Sequence, residues 1–325
     1  MRAWIVDQPA PGNPIRPTDR PIPEPAPGEI LVKVLACGVC RTDLHLADGD
    51  LAPRKPRTVP GHEIVGEAVT AGAHTKPGDR LGIAWLRGTC GYCRWCTTGR
   101  ENLCPQSTYT GWDADGGYAE FATVPEDYAY RLPADADPVE QAPLLCAGII
   151  GYRALRRTGA GRGSRLGIWG FGASAHLTLQ IAAADGIETH VFTRSPAAQR
   201  LARDLGAATA QDNHEPATGT LDAAILFAPA GDLVPVALDA LDRGGILAVA
   251  GIHLSDVPPL VYERHLFYEK ELRSVTANTR ADGREFLAAA TGLRLAITRY
   301  PLTAADQALA DLAADRVTGV AVLEG

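Results

Sequence analysis

Stretches of positive charge are scarce in this sequence, and their scarcity argues against a nucleic-acid partner. The chain of 325 residues has 31 Lys and Arg against 38 Asp and Glu, and its formal net charge is −7. It contains no block of basic residues like the stripes with which proteins follow a phosphate backbone. We therefore expect no nucleic-acid partner and favour a small-molecule substrate.

Long apolar runs are also missing. No stretch approaches the ~18 consecutive apolar residues of a membrane-spanning helix, and residues 1–12 lack the apolar core of a secretion signal. These absences predict a cytoplasmic protein with no membrane partner. Hydrophobic residues still make up 46% of the chain, and its length exceeds that of one ordinary hydrophobic core, so two domains are expected.

The hydrophobic pattern changes twice along the chain. Residues 1–152 alternate short β-prone runs with Pro- and Gly-rich connectors, which is typical of a β-rich, irregular domain. Residues 153–284 alternate apolar strands with Ala- and Leu-rich helical patterns, as in a doubly wound parallel sheet. The pattern changes back near residue 285. We therefore predict a β-rich domain built from 1–152 and 285–325, with an α/β domain between its two parts.

The same hydrophobic patterns predict individual strands and helices. The Pro-dense segment 9–27 shows neither a strand nor a helix pattern. We expect residues 9–27 to form an extended surface loop, with an interdomain linker as the alternative. Strands are expected at 3–6, 29–36, 63–71, 118–124, 165–169, 189–193, 221–227, 245–250 and 320–323, and helices at 173–184, 196–205 and 304–314.

Cysteine is used sparingly, and four of the seven cysteines fall in one short run. Their spacing is C-x2-C-x2-C-x7-C, formed by Cys90, Cys93, Cys96 and Cys104. Four thiolates so spaced make a closed tetrahedral zinc site that does no chemistry. An iron–sulfur cluster is the main alternative. Four ordinary buried thiols are disfavoured, because the interleaved Gly and Arg residues make a poor apolar core.

A glycine-rich turn lies between a predicted strand and a predicted helix. Gly170, Gly172 and Ala175 form the G-x-G-x-x-A fingerprint, whose glycines let the backbone approach a dinucleotide pyrophosphate at a helix N-terminus. NAD enzymes usually carry an acidic residue about 20 residues further on, but this chain has Arg194 and Ser195 there. The pattern favours NADP over NAD, with a surface Arg in an NAD enzyme as the alternative.

Three further motifs carry a family resemblance. They are CGVCRTDLH at 37–45, GHE at 61–63 and LLCAG at 144–148. Together with the cysteine run and the glycine turn, they resemble the zinc-containing alcohol dehydrogenases of the medium-chain dehydrogenase/reductase superfamily. The resemblance implies a chaperonin-10-like catalytic domain interrupted by a Rossmann dinucleotide domain. It also implies two zinc ions per chain and reversible hydride transfer between an alcohol, expected to be primary, and a nicotinamide cofactor.

The resemblance also implies the ligands of a catalytic zinc. Cys40, His62 and Cys146 supply two thiolates and an imidazole, which leaves a fourth position for water or substrate oxygen. Glu63 resembles an acidic neighbour that approaches the metal when water leaves, and an ordinary carboxylate beside the site is an equal alternative. Cys37 is left over and is expected to be a small buried residue.

Four residues around Cys40 acquire roles from the same resemblance. Asp43 is expected to accept the free ring N–H of His62, and the alternative is a plain helix N-terminal Asp. Thr42 and His45 resemble a relay that passes a proton to solvent, although His45 also suits a surface turn. Arg41 matches a cation that meets the cofactor pyrophosphate, with a solvated surface charge as the alternative.

Two tryptophans can be assigned to the substrate pocket, and two other functions compete with the dehydrogenase interpretation. Trp85 and Trp112 are candidates for the wall of the substrate pocket, although large aromatic residues are core or interface residues as often. The rivals are a non-catalytic zinc-binding module and a zinc-free quinone or enoyl reductase, which would lack the second ligand set. We also expect the chain to form a homo-oligomer, either a dimer or a tetramer.

Overall fold

The computed structural model describes residues 1–12, 15–251, 254–317 and 319–325. The chain forms two compact units: unit 1 comprises 1–146, 277–287 and 295–325, and unit 2 comprises 147–276 and 288–294. Within the described residues, no helix is both long and apolar enough to cross a membrane.

The secondary structure is numbered in chain order. The strands are β1 Arg2–Ile5, β2 Arg16–Asp19, β3 Glu29–Val39, β4 Ile64–Ala68, β5 Arg80–Ile83, β6 Leu86–Gly88, β7 Thr108–Tyr109, β8 Phe121–Pro125, β9 Ala129–Arg131, β10 Arg165–Trp169, β11 Glu188–Phe192, β12 Thr209–Gln211, β13 Leu221–Leu226, β14 Leu241–Val249, β15 Glu271–Ser274, β16 Ile297–Pro301 and β17 Val320–Glu324. The helices are α1 Arg41–Asp48, α2 Pro138–Gln141, α3 Ala147–Thr158, α4 Ala173–Ala184, α5 Pro196–Asp204, α6 Leu233–Ala240, α7 Tyr262–His265, α8 Arg280–Ala289 and α9 Ala305–Ala313.

The expected division of the chain differs in detail from the observed units. The predicted boundary at residue 152 falls inside α3, which belongs wholly to unit 2. The chain rejoins unit 1 at residue 277, before the predicted return at 285, and passes through unit 2 once more at 288–294. Residues 152 and 285 both lie inside helices, α3 and α8, so the change in hydrophobic periodicity does not coincide with the ends of the units.

Unit 1 is built around β3. Its sheet has the order β16, β17, β3, β4, β5 and β9, and β8 also pairs with β3. The apolar sequence of β3 is buried on both faces for most of its length, as expected for a central strand. The strand continues beyond the predicted end at residue 36 to Val39, which delivers the chain directly to Cys40.

The loop predicted for residues 9–27 is wrong in one part. Residues 16–19 form β2, which pairs antiparallel with β1 from Arg2↔Asp19 to Ile5↔Arg16. Residue Pro17 lies opposite Trp4 in this two-stranded ladder, where the edge position tolerates a residue without an amide hydrogen. Residues 13 and 14 lie outside the described part of the chain.

Unit 2 contains the parallel sheet that the alternating pattern predicts. Its strand order is β12, β11, β10, β13, β14 and β15, and every neighbouring pair is parallel. The order reverses between β10 and β13, and doubly wound sheets bind ligands at the carboxyl ends of the strands beside such a reversal. The predicted fold class, a β-rich domain plus a doubly wound Rossmann domain, is confirmed.

Candidate functional site

The first part of the site is the junction between β3 and α1. Cys40 is the N-cap of α1, and Asp43 is the third residue of the helix. The Cys40 amide donates to Asp43 Oδ2 at 3.0 Å, which closes half of a capping box. The Cys40 thiol lies 3.7 Å from the buried Thr42 hydroxyl. Helix capping therefore fixes Cys40, Thr42 and Asp43 together.

His62 approaches the same place from the loop before β4. Its imidazole is buried, with Nδ1 3.3 Å from Asp43 Oδ1 and Nε2 3.3 Å from Cys146 Sγ. The Gly61 amide donates to the same Asp43 oxygen at 2.9 Å. Asp43 therefore caps the N-terminus of α1 and also contacts the His62 ring. The two interpretations that the sequence left open are compatible in this geometry.

These elements form a cluster of possible metal ligands. One ligand atom from each of Cys40, His62, Glu63 and Cys146 lies within 4.8 Å of all the others. Cys146 reaches the cluster from the end of the 3-10 turn Ala142–Leu145, at the last residue of unit 1. Two sulfur atoms, one imidazole nitrogen and one carboxylate oxygen are donors that zinc accepts.

Glu63 has an unusual environment for a carboxylate. Its side chain is 2% exposed, and among the described residues Oε2 has no hydrogen-bond partner. Burial, followed by the charge of the Cys40 thiolate, raises the pKa of Glu63 well above its ordinary value. A buried carboxylate oxygen without a partner is costly unless a cation is bound nearby.

The thiols of the cluster differ in acidity. A hydrogen bond from the Cys146 thiol, helped by the neighbouring His62, lowers the pKa of Cys40 well below its ordinary value. The same contact with Cys40, together with burial, raises the pKa of Cys146. One thiolate therefore forms readily in the cluster even before a metal is considered, and a bound cation would favour the second.

The cysteine run forms a second, separate cluster in unit 1. The sulfur atoms of Cys90, Cys93, Cys96 and Cys104 all lie within 4.8 Å of one another. Backbone amides point at the sulfurs: the Cys93 amide donates to Cys90, and the Cys90 amide donates to Cys104, both at 3.4 Å. Desolvation opposes ionisation, but the amides of Tyr92 and Cys93 lower the pKa of Cys90 to about 7.

The structure also places the residues expected to move protons or bind phosphate. His45 lies in the last turn of α1, with Nδ1 2.9 Å from Asp50 Oδ2. Arg41, the expected pyrophosphate ligand, is exposed and forms an ion pair with Asp315. The structure therefore gives Arg41 a protein partner, while its role toward a cofactor stays a prediction.

The glycine turn lies at the carboxyl end of β10 in unit 2. Gly170 has φ +85°, and a Cβ there would lie 2.7 Å from the Ala228 amide nitrogen, so glycine is required. Gly172 is the N-cap of α4 and provides no side-chain cap, and Ala175 is fully buried. In the described part of the chain no side chain caps the first amides of α4, which leaves them available to an anion.

The carboxyl end of β11 holds the two residues linked to cofactor choice. Arg194 and Ser195 are both exposed. The Ser195 hydroxyl oxygen accepts from the Ala198 amide at 3.3 Å and is the N-cap of α5. The Ser195 oxygen is therefore engaged in helix capping, and the exposed Arg194 precedes it in the chain.

Aromatic rings lie beside the first cluster. Trp85 meets the His62 ring edge to face at a centroid distance of 4.9 Å. It also stacks with Tyr109 at 4.9 Å and with Trp112 at 5.8 Å, and the Arg54 guanidinium lies 3.7 Å from the Trp112 ring centre. Of the two tryptophans that the sequence suggested, Trp85 contacts a candidate ligand and Trp112 stacks on Trp85. Tyr109 was missed because no local pattern links it to them.

Sequence similarity supports the same interpretation. Residues 26–134 match the family description "Alcohol dehydrogenase GroES-like domain". The chain is 57% identical, over 335 residues, to a protein of Mycobacterium tuberculosis (strain CDC 1551 / Oshkosh) named probable alcohol dehydrogenase AdhA. That alignment covers 99% of this chain and 97% of the relative.

Solved structures show the same similarity. A cobalt- and zinc-bound thermostable alcohol dehydrogenase from Pyrobaculum aerophilum superposes with a TM-score of 0.90 at 25% identity, over 100% of this chain and 99% of that one. A protein from Sinorhizobium meliloti 1021, provisionally named a zinc-binding dehydrogenase and bound to NADP, superposes with a TM-score of 0.87 at 27% identity, over 100% and 99% of the two chains.

Proposed function

Because the chain belongs to the zinc-type alcohol dehydrogenases of the medium-chain dehydrogenase/reductase superfamily, we propose that it interconverts a primary alcohol and its aldehyde. It is an oxidoreductase that uses a nicotinamide cofactor. The finer proposal is that it prefers NADP and holds two zinc ions per chain. The observation that carries the proposed activity is the cluster of Cys40, His62, Glu63 and Cys146, in which His62 and Glu63 are buried.

Zinc fits the donor atoms of this cluster. Cys40, His62 and Cys146 would hold the ion, and the unpartnered Glu63 Oε2 is the kind of atom that a nearby cation satisfies. A zinc ion with three protein ligands supplies Lewis acidity toward an alcohol or aldehyde oxygen. Asp43 orients His62 so that Nε2 faces the thiols, which is the usual task of a carboxylate behind a ligating histidine.

The proton of the alcohol has a path along α1. Thr42 and His45 are three residues apart on this helix, so their side chains lie on one face. Thr42 is buried beside Cys40, whereas His45 is partly exposed and bonded to Asp50. We assign Thr42 Oγ1 to accept the proton and His45 to exchange it with solvent.

The cysteine run suits a structural zinc. Four sulfur donors leave no position for substrate, and backbone amides already stabilise the thiolates of Cys90 and Cys104. We assign Cys90, Cys93, Cys96 and Cys104 to this closed site. Such a site contributes folding free energy and no chemistry.

The cofactor assignment rests on the ends of two parallel strands. Gly170 and Gly172 would admit the pyrophosphate at the N-terminus of α4, and a bound nicotinamide would supply the hydride chemistry. Arg194 supplies a cation for the 2′-phosphate of NADP, with the Ser195 hydroxyl hydrogen as a second donor. We keep Arg41 as a further phosphate ligand, which would have to leave Asp315.

Exposed apolar side chains support the homo-oligomer. Within the described chain, several large ones cluster at 257–272: Val257, Val261, Tyr262, Phe267, Tyr268 and Leu272. They flank β15, the edge strand of the unit 2 sheet, and unpaired edges beside apolar patches usually need covering. We propose a second copy of the chain as the cover. Light scattering tests this, since a monomer at all concentrations contradicts it.

Metal and activity assays test the proposed function. We expect about two zinc ions per chain, one in each cluster, and oxidation of straight-chain primary alcohols that is faster with NADP than with NAD. Cys146→Ser should lose one zinc and all activity, while Cys37→Ala, a buried thiol outside both clusters, should keep both zinc ions. Loss of no zinc in Cys146→Ser would contradict the catalytic site, and a single zinc in the wild type would favour a zinc-binding module.

A further inference from the structure

The Asp43 carboxylate has four hydrogen-bonding contacts, of which only the one with His62 is needed to orient that ring. It is 2% exposed. The Gly61 amide and His62 Nδ1 contact Oδ1 at 2.9 and 3.3 Å, and the Cys40 amide and the Tyr118 hydroxyl contact Oδ2 at 3.0 and 3.3 Å. Two donors at each oxygen fill the capacity of a carboxylate. Three of these donors belong to the ligands or their neighbours, but Tyr118 does not.

Tyr118 reaches Asp43 from a remote part of the sequence. Its side chain is fully buried, and its hydroxyl hydrogen points to Asp43 Oδ2. Neither zinc cluster includes Tyr118, and the roles proposed so far for the reaction do not use it. A buried tyrosine hydroxyl without a hydrogen-bond partner would destabilise the fold. The contact with Asp43 therefore satisfies the Tyr118 hydroxyl as well as the Asp43 carboxylate.

The backbone before Tyr118 is shaped to lie against the His62 loop. The Gly117 amide donates to the Gly61 carbonyl at 2.9 Å, and the Tyr118 amide donates to the Pro60 carbonyl at 3.0 Å. A Cβ on Gly116 would lie 2.0 Å from the Gly61 carbonyl oxygen, so only glycine permits this approach. The segment 116–118 therefore holds the loop that carries His62.

We propose that Tyr118 is a positioning residue for the His62 side chain and acts through Asp43, an inference that rests on the proposed catalytic zinc site. Its hydroxyl helps the Cys40 amide to fix Oδ2, so that Oδ1 stays directed at His62 Nδ1 and the ring keeps Nε2 toward the thiols. Without the hydroxyl, Asp43 gains freedom to rotate about its side-chain bonds. Partners behind a metal ligand typically change metal affinity by about tenfold to a hundredfold.

Tyr118→Phe tests the inference because it removes only the hydroxyl. Since Tyr118 is one step further from the metal than Asp43, we expect Zn²⁺ affinity at the catalytic site to fall about threefold to tenfold. Affinity is measured by competition between the chain and a fluorescent chelator, with the zinc of the cysteine run as an internal reference. Tyr130→Phe is the matched control, because Tyr130 is also buried and its hydroxyl contacts Asn278.

A double-mutant cycle separates action through Asp43 from general loosening of the fold. In an Asp43→Asn background, Tyr118→Phe should cause no further loss of zinc affinity. A further loss as large as in the wild type overturns the proposal, as does equal affinity in Tyr118→Phe and Tyr130→Phe. If Asp43→Asn leaves no measurable affinity, the comparison of those two single variants decides alone.

The proposed function fails in a different way. If Cys146→Ser leaves the zinc content of the chain unchanged, the catalytic site itself is wrong. If Cys146→Ser loses one zinc but Tyr118→Phe binds Zn²⁺ like the wild type, only the role of Tyr118 is wrong.

Discussion

Gly38→Ala is expected to damage the catalytic cluster although Gly38 is not one of its ligands. Gly38 lies in β3, and its amide donates to the Glu63 carbonyl at 3.0 Å. A Cβ at this position would lie 2.0 Å from Glu63 Oε2, 2.7 Å from Cδ and 2.9 Å from Cβ. Rotation of the Glu63 side chain relieves the first two contacts but not the third, so the backbone has to move.

The magnitude follows from overpacking. Adding a methyl group to a well-packed interior costs about 1–3 kcal/mol, and each kcal/mol lowers the melting temperature by roughly 2–4 °C. Because Glu63 follows His62 directly, the shift also moves a zinc ligand. We expect a lower melting temperature and loss of the catalytic zinc, with the zinc of the cysteine run retained.

The assay combines calorimetry with zinc content. Gly161→Ala is the control, because a Cβ at Gly161 meets nothing within 4 Å and its backbone is not left-handed. The reasoning is refuted if Gly38→Ala keeps both zinc ions and melts together with Gly161→Ala.

Three further predictions concern separate parts of the chain. Cys93→Ser should lose the structural zinc and much stability, since binding to four thiolates contributes on the order of 10 kcal/mol; an unchanged melting temperature with both metals would contradict this. His45→Gln should lower turnover about tenfold to a hundredfold at neutral and acidic pH while zinc is retained, and a pH–rate profile superimposable on the wild type would end the relay assignment. Arg194→Asp should shift kcat/KM toward NAD over NADP by about tenfold to a hundredfold, and a wild type that already favours NAD by about tenfold would contradict the role of Arg194.

The sequence predicts best where residues that act together are close along the chain. The four cysteines of the run lie within 90–104, and their spacing alone indicates a tetrahedral site. The glycine turn is equally local, because strand, turn and helix follow one another. Cys146 is different: it lies far from Cys40 and His62 in sequence, and only the family resemblance linked it to them before the structure brought the three together.

Local sequence patterns do not predict which side chains meet across the sheet of unit 1. The close fit of Gly38 against Glu63 depends on how β3 meets β4, and the pairing shifts register between Val34 and Ala36. The hydroxyl of Tyr118 reaches Asp43 because residues 116–118 pair with the loop before β4. The pair Gly116–Gly117 is a signal of close backbone approach, but the sequence does not say what approaches.

The two clusters differ in how the protein satisfies their donor atoms, and this difference suits the structural and catalytic roles proposed for them. Around the cysteine run, the amides of Cys90, Cys93 and Gln106 donate to sulfur, so the thiolates are stabilised by fixed backbone groups. Four sulfurs would complete the coordination of a zinc ion there, with no position left for substrate.

In the cluster of Cys40, His62, Glu63 and Cys146, the protein provides fewer hydrogen-bond donors to the candidate ligands. His62 is held by Asp43, but Glu63 Oε2 is buried without a hydrogen-bond donor among the described residues. A carboxylate in that state gains most from approaching a cation, yet it remains available to withdraw when an oxygen ligand arrives. If Cys40, His62 and Cys146 held a zinc ion, the uncommitted Glu63 carboxylate would assist the exchange of water for substrate. Glu63→Gln should therefore retain zinc but slow that exchange, which stopped-flow measurement of substrate or inhibitor binding would detect; exchange as fast as in the wild type would show that Glu63 is only an ordinary carboxylate beside the site.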